Sequence, residues 1–256
     1  MRSPSDIDRY EIKYLISDEL AAQVREYIVP YTEVDPYAAE SSEQQYTVRS
    51  IYFDTSQFDF YHDKIDGLKI RKKLRLRAYN EFGEDAPAFL EIKRRYGRVV
   101  AKERTMLPLR EAVPILADRS MPDLTFEQSF NGKKVIGRFF HNLISRDLRP
   151  TALITYEREA YVGRMDDQVR VTLDKNVRSC MFPDLNQLFD DDDLRSFTDG
   201  RIILEMKFND YMPRWFRSVV SKLGLRAQSV SKYCLGIEAW MRPRTFGHPG
   251  EDPTKE

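Results

Sequence analysis

Glu11-Ile12-Lys13, Glu91-Ile92-Lys93 and Glu205-Met206-Lys207 repeat one short pattern, an acid and a base flanking an apolar residue. On an extended strand residues i and i+2 share a face, so each copy presents a carboxylate and an ammonium together and turns Ile or Met the other way. Between the first two copies, Lys69, Arg71, Lys73, Arg75, Arg77 and Tyr79 alternate with Leu68, Ile70, Lys72, Leu74, Leu76 and Ala78. Same-face neighbours on a strand lie about 7 Å apart, so this ladder repels itself unless carboxylates or a bound polyanion offset it. Arginine offers a planar fork for bidentate phosphate contacts and lysine a compact charge, so the mixture suits successive phosphoryl groups. Glu205, Glu11 and Glu91 supply hard oxygen donors of the kind that Mg²⁺ or Mn²⁺ takes. Single Glu-x-Lys pairs also occur as solvent-facing cross-strand ion pairs of little energy. Three of them, with the ladder and Tyr156-Glu157-Arg158, favour an anionic ligand.

The elements that would position these residues follow from periodicity and punctuation. Arg9 to Ile16 reads as a strand, Ser17-Asp18-Glu19 opens a helix that Pro30 stops, and polar Glu33 to Gln45 reads as a loop. Strands are expected at Thr47 to Asp54, Leu68 to Tyr79, Ala88 to Arg95 and Arg98 to Leu107, the last two joined by a tight turn at Tyr96-Gly97. Helices suit Pro108 to Ser120 and Ser129 to Asp147, the second with Val135, Ile136, Phe139, Phe140, Leu143 and Ile144 at helical spacing. Strand signals resume at Thr151 to Val162, Val169 to Leu173 and Arg201 to Phe208, and Trp215 to Leu223 reads as an amphipathic helix. The acidic run Asp190 to Asp193 reads as a solvated loop.

If the strands close with their charged faces inward, they form a small antiparallel barrel whose apolar outer face helices must cover. Its interior would hold Lys13, Arg75, Arg77, Lys93, Lys102, Arg158 and Lys207, with Lys73 next along the ladder. The expected class is therefore α+β, an eight-stranded antiparallel β-barrel tunnel with helices packed outside. One domain spans residues 1–241, and 242–256 reads as a disordered tail.

Composition narrows the alternatives. The 256 residues carry 41 Lys+Arg against 41 Asp+Glu, so positive charge is concentrated rather than abundant, and whole-chain attraction to nucleic acid or membrane is not expected. No apolar run approaches the ~20 residues of a membrane helix and no signal-peptide core stands at the start, which leads to an expected cytoplasmic location without membrane insertion. Cys180 and Cys234 are too few for a disulfide framework or a zinc site, and His62, His141 and His248 are scattered. There is no Walker loop and no GxGxxG, which disfavours P-loop and Rossmann chemistry.

The segments RYEIKYLI (9–16), VRSIYFDT (48–55), KLRLRAY (73–79), FLEIKRR (89–95), KER (102–104), TYEREAY (155–161), LEMKF (204–208) and VSKYCLGI (230–237) resemble, in this order, the catalytic domain of the vacuolar transporter chaperone (VTC) complex and its bacterial relatives, within the triphosphate tunnel metalloenzymes. The resemblance implies an eight-stranded tunnel that takes a nucleoside triphosphate and polyphosphate, with a divalent metal, often Mn²⁺, and moves the terminal phosphoryl group onto the growing chain. It implies that Lys13, Arg75, Arg77, Lys93, Lys102, Arg158 and Lys232 contact phosphate, that Tyr156 and Ser231 add tunnel hydroxyls, and that Glu205 binds metal. Glu11, Glu91, Lys73 and Lys207 follow from strand parity instead. Related triphosphatases and class IV adenylate cyclases carry Glu-x-Glu-x-Lys near the N-terminus; here Arg9 replaces the first glutamate, which favours the VTC branch.

Three functions compete: a polyphosphate polymerase, a triphosphatase or short-chain polyphosphatase using the same tunnel, and a non-catalytic polyphosphate-binding module. An RNA-binding version is weaker, because base stacking needs exposed aromatics among the cations and most Phe and Tyr fall at expected core positions.

Overall fold

The computed structural model describes residues 9–80, 82–97, 99–121 and 130–242. Ten strands are described: β1 (Arg9–Ile16), β2 (Thr32–Val34), β3 (Gln45–Asp54), β4 (Ile70–Tyr79), β5 (Pro87–Tyr96), β6 (Val99–Pro108), β7 (Arg149–Gly163), β8 (Arg170–Met181), β9 (Arg195–Ser196) and β10 (Ile202–Asn209). The described helices are α1 (Asp18–Ile28), α2 (Pro36–Ala39), α3 (Asp59–Ile65), α4 (Leu109–Ala117), α5 (Phe130–Ser145), α6 (Arg214–Lys222) and α7 (Lys232–Met241). The result is an α+β fold rich in antiparallel sheet.

Eight strands form one path in the order β1-β10-β8-β7-β3-β4-β5-β6, every neighbour antiparallel, with β2 and β9 pairing to β7 and β8 off that path. The expectation of a closed barrel is corrected here: β1 and β6 end the path and share no ladder. The sheet nevertheless curls far enough that Lys93 of β5, the strand beside the β6 edge, reaches Glu11 of the β1 edge at 3.3 Å. Charged side chains, not backbone pairing, bridge the seam.

Alternation sorts the two faces. Outward residues of β3 to β6, among them Ile51, Leu74, Leu76, Leu90 and Ile92, pack with Leu109, Leu116, Ile136 and Phe139 of α4 and α5. Outward residues of β1, β8 and β10 pack with Ala21, Val24 and Ile28 of α1 and Phe216 and Val219 of α6. These coats bury Ile92 and Met206 of the repeated tripeptide and partly cover Ile12, as period-2 patterning requires.

A third cluster lies on the concave side, where Val48, Tyr52, Ile154, Tyr156 and Ile203 meet Tyr233, Cys234 and Ile237 of α7. Ser231 caps this helix by accepting from the Cys234 N–H at 3.3 Å. Gly236 permits the close approach, for a Cβ there would stand 2.6 Å from Ile154 Cδ1. Helix α7 thus enters one end of the trough.

Two local expectations change. The segment read as loop from Glu33 to Gln45 contains β2 and α2, because Asp35 accepts from the Tyr37 N–H and Pro36 sits at the first helical position. The strand expected to end at Leu173 runs on to Met181, and the tail expected beyond Arg242 lies outside the described residues.

Candidate functional site

Inward positions collect into three linked groups of charge. On β1 and β10, cross-strand register sets Lys13 opposite Glu205 and Glu11 opposite Lys207. Lys13 Nζ lies 2.9 Å from Glu11 and 3.7 Å from Glu205, Lys207 Nζ lies 2.6 Å from Glu205, and Lys93 closes the group from β5. Burial and the adjacent Glu205 push the Glu11 carboxyl up, but Lys13, Lys93 and Lys207 outweigh them and hold it at about 2. Burial likewise opposes ionisation of Glu205, and Lys13, Lys207, Lys232 and Arg158 together keep it well below the ordinary carboxylate range. Lys13 is lowered by burial and raised further by Glu205 and Glu11, so it stays a cation.

The second group joins β7, β8 and α7. Arg158 grips Asp174 with both arms of its fork, at 2.6 and 2.9 Å, and Lys232 of α7 reaches the same carboxylate at 2.5 Å. Asp174 has no solvent exposure. Its carboxyl, pushed up by burial, is brought down to about 2 by Arg158 and Lys232.

On β4 to β6, Glu91 receives Arg75 at 2.5 Å and Lys102 at 2.6 Å, with Arg104 at 3.9 Å. Burial lowers the Lys102 ammonium to about 8 despite Glu91. Arg75 also donates to the Tyr52 hydroxyl at 2.8 Å, and Tyr52 stacks on Tyr233 of α7. Burial pushes the Tyr52 phenol up, but Arg75, Arg77 and Lys73 outweigh it and bring it to about 7.

Two inward cations differ from the rest. Arg77, 6% exposed, donates to Ser50 at 3.0 Å and to Tyr156 at 3.3 Å, and Lys73 donates to Ser231 at 2.7 Å. Among the described residues neither has a carboxylate within ion-pair distance. Burial pulls the Lys73 ammonium down to about 8.

Of the cations expected at the site, Lys13, Arg75, Lys93, Lys102, Arg158, Lys207 and Lys232 belong to these groups, whereas Arg77 and Lys73 are held by Tyr156 and Ser231. Of the three expected metal donors, Glu91 meets different partners from Glu11 and Glu205. Glu91 is engaged by Arg75 and Lys102 of the neighbouring strands, while Glu11 and Glu205 lie together on β1 and β10. Among the described residues no set of three His, Cys, Asp or Glu side chains is arranged to hold a metal. A magnesium-type ion needs only one or two carboxylates when substrate phosphates supply further oxygens, and the Glu11–Glu205 pair fits that share.

Sequence reasoning passed over Tyr52, Asp174 and Ser50. Tyr52 and Ser50 share strand parity within VRSIYFD, and Asp174 lies one residue past the expected end of its strand, so continued alternation would have found all three.

The family model of the VTC domain matches residues 8–241. The chain belongs to the VTC domain family. Among curated proteins none matches the chain. Two solved structures are similar: a proposed adenylyl cyclase from Hippeastrum described as having a dominant triphosphatase activity, at 14% identity and TM-score 0.49 over 90% of this chain and 95% of that one; and a proposed adenylate cyclase from Vibrio parahaemolyticus, at 13% identity and TM-score 0.47 over 89% and 96%. At such scores they add nothing to the reading of this VTC domain's site. No described helix is long and apolar enough to cross a membrane.

Proposed function

We propose that this VTC domain is a metal-dependent polyphosphate polymerase, which transfers the terminal phosphoryl group of a nucleoside triphosphate, ATP above all, to a polyphosphate chain in the basic trough. The observation that carries the reading is the pair of inward cations, Arg77 and Lys73, held by hydroxyls without a direct ion pair among the described residues, amid seven more cations drawn from β1, β4 to β7, β10 and α7. Burying a guanidinium without a direct ion pair is costly, and a bound polyanion offsets that cost.

Phosphoryl transfer asks a protein mainly for alignment and charge neutralisation. An oxygen of the chain's terminal phosphate attacks the γ-phosphorus, the bridging bond to the β-phosphate breaks, and a nucleoside diphosphate leaves while the chain grows by one unit. Arg75, Arg77 and Arg158 suit bidentate grip on the transferring group, while Lys13, Lys93 and Lys102 neutralise charge along the chain. A divalent ion, Mn²⁺ or Mg²⁺, held by Glu205 with Glu11, would supply Lewis-acid neutralisation of phosphate oxygens.

The test is incubation of the protein with ATP and Mn²⁺, with and without a short polyphosphate primer, resolving released phosphate and chain length on a gel. Chains longer than the primer are expected. Orthophosphate alone would replace the polymerase with a triphosphatase, and binding without either product would replace it with a binding module.

A further inference from the structure

Toward the end of the trough away from α7, the basic lining gives way to aromatic rings. Tyr46 on β3, Tyr79 on β4 and Phe89 on β5 continue the inward alternation past Val48, Arg77 and Glu91. Tyr37 of α2 stands against the first two. Ring centroids are 4.9 Å apart for Tyr37 and Tyr46, 5.8 Å for Tyr37 and Tyr79, 5.8 Å for Tyr46 and Tyr79, and 5.7 Å for Tyr79 and Phe89, all edge to face. The guanidinium of Arg104 lies 4.1 Å over the Phe89 ring.

None of these rings is fully buried, and Tyr37 is 39% exposed. The cluster is continuous with the phosphate-binding cations, since Tyr46 pairs across the strands with Arg158, and Phe89 with Arg77. From Tyr79 to Arg75 along β4 is about 13 Å, a span that a nucleoside and its phosphates can bridge. Asn80, the amide beside the rings, is engaged by its own contacts to Tyr37 and the Thr47 N–H.

We propose that this aromatic rim is a nucleobase platform, holding the base of the nucleoside triphosphate by stacking on the rings and against Arg104 while the inner cations hold its phosphates. The proposal rests on the nucleotide-donor reading above. Stacking is tolerant of base identity because every base has a π-face, and Asn80 beside the rings already spends one donor on Tyr37 and one acceptor on the Thr47 N–H. The platform therefore accepts purines without strong preference between adenine and guanine.

Isothermal titration of ATP, GTP and inorganic triphosphate into the wild-type protein and into Tyr37→Ala, Tyr37→Phe and Phe89→Leu tests it, with melting temperature as the folding control. Tyr37→Ala and Phe89→Leu are expected to weaken ATP and GTP by about tenfold each, to leave triphosphate affinity unchanged, and Tyr37→Phe to retain nucleotide affinity. Equal losses for nucleotide and triphosphate, or undiminished ATP binding in both ring-removing variants, would overturn the platform while leaving the phosphate trough standing. Failure of the wild-type protein to bind either ligand would overturn the underlying reading and the platform with it.

Discussion

Glu91→Gln is the most discriminating single change, because Glu91 occupies the place that a phosphate oxygen would take beside Arg75. Its carboxylate is 1% exposed and neutralises Arg75, Lys102 and, at longer range, Arg104. Removing the charge leaves two close cations without an acid, and breaking a buried pair from one side costs about 3–5 kcal/mol. Glutamine keeps an oxygen for one of the donors, which puts the expected loss near the lower figure, about 3 kcal/mol. At about 2–4 °C per kcal/mol for a chain of this size, the ligand-free variant should melt about 6–12 °C below the wild type. Triphosphate should narrow the gap, because it supplies the missing counter-charge and no longer competes with a resident carboxylate. Triphosphate stabilises both proteins, so the gap narrows by the ratio of their affinities, about 1.4 kcal/mol for each tenfold by which the variant binds more tightly. The assay is differential scanning fluorimetry with and without inorganic triphosphate. A variant as stable as the wild type, or a gap that persists at saturating triphosphate, would refute the idea that Glu91 stands in for ligand.

The remaining predictions concern the other groups. Glu205→Gln should raise the Mn²⁺ concentration needed for half-maximal activity while phosphate binding persists, whereas Glu91→Gln should leave the metal requirement unchanged; equal metal titrations for Glu205→Gln and wild type would remove Glu205 from the metal. Arg77→Ala should abolish measurable triphosphate binding yet lower the ligand-free melting temperature only slightly, since Arg77 has no direct ion pair and meets Glu91 only at longer range; a large drop in melting temperature would contradict this. Glu11 and Asp174 titrate near 2 in the folded protein against about 4 unfolded, so the unfolded chain binds more protons between those values; stability should be intact above about pH 4.5 and fall as pH drops toward 2, read by acid unfolding in circular dichroism. Tyr52 titrates near 7 folded and about 10 unfolded; the folded form releases its proton first, so its contribution grows as pH rises from 7 to 10, and Tyr52→Phe should flatten that rise and remove a tyrosinate absorbance step near pH 7.

The repeated Glu-x-Lys pattern and the cationic ladder were legible because period-2 alternation is local: one strand suffices to show which residues share a face. The same rule reached Lys13, Arg75, Lys93 and Lys207 without any neighbour in view. Strand closure was not legible in this way, since the β1–β6 gap depends on how far the whole sheet curls and on Glu11 meeting Lys93 from a strand far along the chain. The partners of Glu91 were hidden for a related reason. Parity places Glu91 inward, but only the register of β4, β5 and β6 shows that Arg75 and Lys102 engage it first. Helix α7 was the largest omission in the organisation of the fold, for SVSKYCLGIEAW carries its chemistry in Lys232 and Ser231 while its seat inside the trough depends on Gly236 fitting against Ile154 and Ser179.

The division between paired and unpaired cations implies an order of engagement. Arg77 and Lys73 are held only by hydroxyls, so an entering phosphate gains their charge without displacing an acid. Arg75, Lys102, Lys13, Lys93, Arg158 and Lys232 each already face a carboxylate, and a phosphate must share or displace Glu91, Glu11, Glu205 or Asp174 to use them. Affinity per phosphate should therefore be greatest for units beside Arg77 or beside Lys73, two positions about 13 Å apart on β4, and lower for units beside the acid-paired cations, where resident acids compete. Weak grip at the acid-paired positions is what an elongating chain needs, because each added unit must shift the product by one position before the next transfer. Charge-neutralising the competitors should reverse this: in a Glu11→Gln, Glu91→Gln double variant, long polyphosphate should bind more tightly and leave more slowly, and stopped-flow release of a labelled chain would show it. Faster release from that variant would mean that the acids orient the cations for the chain rather than compete with it.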